Sequence, residues 1–356
     1  MARNITVDVL RMIFAFVIVF HHIFIGTEYH IHGYLAVDFF FIVSGYMLIN
    51  TYRRNKEEGK EVSTLRFCAH KLMSFLPYLI FAVLVSALVY GSIAYSDTGR
   101  FDRFLESAWF EIENVFLVSM LGFYRDPLIW YLSAMMIGSA ILYFLMSRFG
   151  SDIFRYAAPI AAVILFAVIF AESVTVSTPN HFVYGVVKKG LLRGIADMCL
   201  GIFAFEVVEY TKRMQFPQEK IVLGIAEVLC YLVVLVAIFA VSPSDDLQRR
   251  VYDIAVISLL FVGLTITFSG RSFVYEWLQG NEEIAKRSKE MAVGSLLLYL
   301  NHAYIIKAWE YCGSINTAIE SFGVIVLALV MSFVCYHAGK KIRDILLKAA
   351  REVSAE

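Results

Sequence analysis

The chain has 356 residues, with 31 Lys and Arg against 31 Asp and Glu; it is 59% hydrophobic, 15% aromatic and only 17% charged, and its mean hydropathy is +0.68. Soluble domains carry about 25% charged and about 45–50% apolar residues, so the composition excludes a soluble fold and points to an integral membrane protein. Zero net charge without a basic run excludes an electrostatic footprint for nucleic acid, and six prolines with no low-complexity stretch exclude a disordered or linker-built chain.

Apolar stretches of about 17–25 residues can cross a bilayer as helices. Ten occur in chain order, at 6–26, 34–52, 72–95, 128–148, 157–173, 190–208, 221–241, 252–269, 291–310 and 320–340. The fold expected is all-α and polytopic: one membrane domain over 1–340 and a cytoplasmic amphipathic tail over 341–356. The first stretch has no small-residue cleavage pattern after it and reads as an uncleaved span. The segment from Phe101 to Phe123 carries Asp102, Arg103, Glu106, Glu111 and Glu113, so it is placed as an amphipathic or re-entrant helix beside the membrane. With the N-terminus inside, the cytoplasmic segments hold 21 Lys and Arg and the external loops 7, while Arg11, Arg193 and Lys307 fall within spans. That bias matches the positive-inside rule and puts both termini in the cytoplasm. The five cysteines are far apart with no C-x-x-C pair, and form neither a zinc pattern nor a disulfide framework.

Ionisable residues inside a span are functional candidates by default. In the first span Arg11 and His22 are eleven residues apart, which sets them within about 20° of one helix face and about 16 Å apart along the axis. A single groove can therefore present Arg11 near the cytoplasmic side and His22 towards the outside, whereas His21 points about 100° away. The bland alternatives are a hydrogen-bonded packing histidine, and an arginine that snorkels to the headgroups beside Asp8. Asp38, in the antiparallel second span, lies at a depth similar to that of His22. An aspartate beside an imidazole fixes its tautomer and steadies the imidazolium, so His22 as general base oriented by Asp38 is the reading to test. The alternative is that Asp38 caps or pairs elsewhere.

Taken together, Asp8-Val-Leu-Arg11, ten residues and His22, followed by Gly33-Tyr-Leu-Ala-Val-Asp38-Phe-Phe-Phe-Ile-Val-Ser44-Gly45-Tyr46, resemble the membrane-bound acyltransferase 3 family. Trp130-Tyr131-Leu132 and the Ser295, Tyr299 and His302 of the ninth span are also similar to the family pattern. Two positions depart from it. Ser74 stands where an arginine cluster before Pro77 often ends, after Arg66, His70 and Lys71, and Met135 stands where a glutamate often follows Trp130.

The resemblance implies a multi-pass protein of a bacterial-type plasma membrane that transfers an acyl group, acetyl by preference, from cytoplasmic acetyl-CoA or another acyl-CoA to a carbohydrate or glycolipid hydroxyl outside. Arg11, Arg53, Arg54, Arg66 and Lys71 lie at the inner side, where Arg and Lys can hold phosphates. The pantetheine arm then runs along the groove to His22. A covalent variant would place the acyl group briefly on His22 or Ser44, although Ser44 also reads as a small residue for close helix approach. His302 lines the cavity or packs. Trp130 and Tyr131, with Asp126, read either as interfacial anchors or as a sugar platform, and Glu28, His30 and His32 are near enough to touch an acceptor. Acyl transfer needs no metal and none is expected; membrane lipids are the other partners, and no protein partner is expected.

Three other classes compete. Ten helices with intramembrane charges suit a proton-coupled transporter or flippase, but no second copy of the first-span motifs marks an internal repeat. An intramembrane protease using Ser44 and His302 lacks the Gly-x-Ser-Gly context. A receptor or scaffold would release no thiol from acetyl-CoA.

Overall fold

The computed structural model describes residues 3–25, 31–122, 129–212, 214, 218–313, 315 and 317–353. Side-chain caps and glycines set many of the helix ends. Asn4 accepts a hydrogen bond from the Val7 backbone N–H to open α1 (Ile5–Phe24), and Ser63 does the same for Arg66 at the start of α3 (Thr64–Thr98), which stops at Gly99 in the left-handed conformation. Between them lies α2 (Ala36–Glu57). Next come α4 (Phe101–Ile112), α5 (Trp130–Phe149), α6 (Phe154–Glu172), α7 (Lys189–Thr211), α8 (Glu219–Ala240) and α9 (Asp246–Ser269). A short α10 (Phe273–Gly280), α11 (Glu282–Cys312) and α12 (Ala318–Val353) complete the chain. The only strands among the described residues are β1 (Phe182–Val183) and β2 (Val187–Lys188), a two-residue antiparallel pair before α7.

Each of the ten expected spans coincides with one long helix, and eight of these helices are long and apolar enough to cross a membrane. The other two, α7 and α11, carry more charge. Helix α7 tolerates it because Lys189, Arg193, Asp197 and Glu206 are buried among neighbouring helices rather than turned to lipid. Outer helices behave oppositely: α8 exposes Ile221, Val222, Ile225, Val228, Leu229 and Leu232 along one side, an apolar surface that bilayer lipid covers and water would not tolerate. The segment after α3 forms α4, 12 residues long and so too short to span, then two 3-10 turns, Glu113–Phe116 and Ser119–Leu121. The stretch from 341, expected as a separate surface helix, instead continues α12 as one helix of 36 residues. No glycine or proline follows Gly339 to break it.

Helix α2 sits at the centre, against α7. An added Cβ on Gly45 would lie 2.0 Å from the Met198 carbonyl oxygen, and one on Gly201 2.0 Å from that of Ile42, so the two backbones touch where only glycine fits. This contact, with α1 packed along α11, brings the first two helices, α3, α5 and α11 around a common space.

Candidate functional site

That space is a cavity of about 240 Å3 whose walls include Arg11, Ser44, Lys71, Tyr131, Ser295 and Tyr299. Arg11 and Ile18 both line it, as residues seven apart on a helix share a face. Arg11 is 3.5 Å from Asp8, and Asp8 also pairs with Arg3. Lys71 extends from α3 and donates to Ser139 Oγ at 2.9 Å. The Ser44 hydroxyl lies 3.3 Å from that of Tyr131, whose ring packs 4.6 Å from Phe41 and 5.7 Å from Tyr299, centroid to centroid. Two cations thus face a mostly apolar slot with hydroxyls along its wall. Ser74 and Met135, where the chain departs from the family pattern, line the same slot.

His22 stands one turn beyond Ile18 on the same face of α1. Its ring centroid is 5.0 Å from that of His302 and 5.4 Å from that of His21. His302 is fully buried. Its Nδ1 lies 2.7 Å from the Tyr299 carbonyl oxygen, so the Nδ1–H donates and Nε2 keeps a lone pair that has no partner among the described residues. His21 is held apart, its Nδ1 2.7 Å from the Ile31 carbonyl oxygen.

Asp38 is not the partner of His22. Arg193 of α7 takes its carboxylate in a fork, Nε to Oδ1 and Nη2 to Oδ2, both at 2.7 Å. The same guanidinium donates to the Val176 carbonyl at 3.1 Å and the Tyr34 carbonyl at 2.8 Å. Arg193, Asp38 and Asp197 are all fully buried, and a buried guanidinium demands a carboxylate that meets it on two bonds. Asp38 therefore locks α2 to α7. Nearby, Asp253 of α9 accepts from Tyr34 at 2.7 Å and from Thr175 at 2.7 Å, which ties the start of α2 to α9.

The remaining expected residues divide. Arg53 is paired with the buried Glu206 and stacks over Phe205, away from the cavity; Glu206 is a buried acid that needs a cation, and Arg53 and Arg155, the latter at 3.4 Å, both supply one. Arg54 and Arg66 are exposed on α2 and α3 and do not line the cavity. Trp130 packs between Phe41 and Gly190, with the Arg193 guanidinium 6.0 Å from its ring, and is part of the bundle rather than an open sugar platform. Tyr131 likewise turns into the cavity. His32 rests against Tyr34 and Tyr252. Glu28, His30 and Asp126 lie outside the described residues. Arg193 and Asp197 were given no role from sequence, although an arginine in mid-span with an aspartate one turn on was a legible signal.

The family model described as an acyltransferase domain, of the acyltransferase 3 type, matches residues 4–337. No curated protein and no solved structure matches the chain.

Proposed function

The chain belongs to the acyltransferase 3 family, and we propose that it moves an acyl group, acetyl by preference, from cytoplasmic acyl-CoA to a sugar hydroxyl on the other side of the membrane, with His22 as general base. The observation that carries this reading is the cavity: Arg11 and Lys71 in the wall of an apolar slot, with His22 one helical turn beyond Ile18, which also lines it. Its volume of about 240 Å3 is below the roughly 300–1,000 Å3 that whole drug-sized ligands occupy. It suits the slender pantetheine arm, leaving the nucleotide phosphates to Arg11 and Lys71, with the exposed Arg54 and Arg66 outside. In this reading the Arg11 end faces the cytoplasm, in keeping with the charge bias of the loops.

In the reaction, the acceptor oxygen attacks the thioester carbonyl while His22 Nδ1 or Nε2 takes its proton. A C–O bond forms, the C–S bond breaks, and the imidazolium passes the proton to the departing thiolate. His302 takes the role first assigned to Asp38: its ring centroid is 5.0 Å from that of His22, and its Nε2, which has no hydrogen-bond partner among the described residues, is the lone pair left to steady the charged ring. Asp38 contributes by fixing α2 against α7.

The test is thiol release from acetyl-CoA by membranes holding wild type, His22→Ala, Arg11→Ala or Lys71→Ala, with extracts of the host's surface glycans as acceptors. His22→Ala is expected to lose about 10²–10⁴ in rate at unchanged protein level. Arg11→Ala and Lys71→Ala are expected to raise KM for acetyl-CoA. Equal release from wild type and His22→Ala would remove His22 as the base, and no acceptor-dependent release from wild type would remove the function.

A further inference from the structure

On the other side of Tyr299 lies a second, smaller cavity, of about 40 Å3, between α3, α4 and α11. Ser86 and Tyr90 of α3, Glu111 of α4, Asn114 of the turn that follows, and Tyr299 and Tyr304 of α11 line it. Glu111 is the unusual member. On an amphipathic surface helix an acid ordinarily stays in water, as Asp102 and Glu106 do here, while Phe101, Leu105 and Trp109 form an exposed apolar stripe. Glu111 instead turns inward, towards the bundle, where desolvation disfavours its charge. Its one hydrogen-bond donor among the described residues is the Ser86 hydroxyl, at 2.6 Å. A carboxylate has about four acceptor positions, so most of its capacity is open to a hydroxyl in the cavity, beside the Asn114 amide, which can both donate and accept.

We infer that this cavity receives the acceptor: a sugar hydroxyl held by Glu111 and Asn114 on the opposite side of Tyr299 from the acyl donor. The inference rests on the acyl-transfer reading above and adds the acceptor's place to it. By the same volume measure a single water needs about 10–15 Å3, so about 40 Å3 admits a hydroxymethyl arm and not a sugar ring. Tyr299 lines both cavities, and its carbonyl holds His302 beside His22. In the proposed transfer a shift of this one shared side chain joins the two spaces. The bond changes are those already given: C–O forms, C–S breaks, and the hydroxyl proton goes to His22. Burial also raises the Glu111 carboxyl above its ordinary value, against the pull of the Ser86 hydrogen bond.

The experiment uses full-length protein in membranes, radiolabelled acetyl-CoA and the surface-glycan extract, and compares wild type with Glu111→Ala, Glu111→Gln and Ala303→Leu. Ala303 lines the small cavity without a polar group, so its enlargement fills the space and removes no hydrogen bond. Glu111→Ala and Ala303→Leu are expected to raise the acceptor concentration for half-maximal transfer about ten- to hundredfold, with KM for acetyl-CoA unchanged and Glu111→Gln less affected. An unchanged acceptor requirement in both variants overturns the inference while leaving the acyl-transfer reading intact. A parallel rise in KM for acetyl-CoA also overturns it, because the cavity is then only structural. Failure of the wild type to transfer to any glycan overturns the function itself, and the acceptor site with it.

Discussion

Arg193 carries a full charge into the middle of the bundle, and its neighbours are arranged around that fact. Asp38 meets it on two bonds, the Tyr34 and Val176 carbonyls take further donors, and Asp197 stands one turn further on, with no hydrogen-bond donor to either oxygen among the described residues. The two aspartates are therefore expected to differ. Asp38→Asn strips Arg193 of its carboxylate, and an uncompensated buried charge costs about 3–5 kcal/mol, so little folded protein should survive detergent extraction and size-exclusion chromatography. Asp197→Asn leaves the Arg193 fork whole and is expected to elute as wild type. The family pattern shows the same logic in reverse. Ser74 and Met135 stand where the family pattern often has an arginine and a glutamate, and both line the cavity; losing one of two opposite charges alone would leave the other unpaired, whereas losing both leaves the net charge of the slot unchanged. At this scale the spacing of Arg11 and His22 was legible because a helix repeats its face at fixed intervals. The partner of Asp38 was not, since matching depth in two helices does not say which way either side chain turns.

Between helices, packing in lipid gains little from the hydrophobic effect, because lipid tails are as apolar as the side chains, and close backbone approach matters more. Gly45 and Gly201 supply it between α2 and α7, the contact that also carries the Asp38–Arg193 pair. Either Gly45→Ala or Gly201→Ala must push the two backbones apart, at about 1–3 kcal/mol by analogy with overpacked cores. Both are expected to melt several degrees below wild type in a detergent thermal-shift assay. Gly280→Ala, at a position where an added Cβ meets nothing within 4 Å, should move the melting temperature by much less. Hydropathy found all ten long helices, including the charged α7 and α11, because apolar residues dominate each stretch. It could not show that α7 is wrapped by protein on nearly every side, nor that Glu111 on α4 faces inward: both depend on which helices become neighbours. The continuation of α12 past residue 340 was hidden for a simpler reason, since change of polarity at a membrane surface looks alike in a bent and a straight helix.

Orientation belongs to the whole molecule, and the function depends on it. In the proposed reaction the Arg11 and Lys71 end of the cavity must open where acyl-CoA is made, and the His22 end where the acceptor lies. The cytoplasmic segments of the ten-span reading hold 21 Lys and Arg against 7 outside, and Lys71, which lines the cavity, is one of those 21. An even number of spans also returns both termini to one side. In a variant with its five cysteines replaced, a cysteine at Lys60, exposed between α2 and α3, is expected to stay unlabelled when intact cells meet a membrane-impermeant maleimide, and to react once they are lysed. A cysteine at Ser242, exposed between α8 and α9, should react in intact cells. The reverse pattern would set Arg11 and Lys71 outside, where no acyl-CoA reaches them, and would break the donor assignment whatever the activity assays showed. Labelling at both positions in intact cells would mean an even number of spans between them instead of the five of the ten-span reading, which requires α4 and its following turns to cross the membrane despite the shortness of the helix.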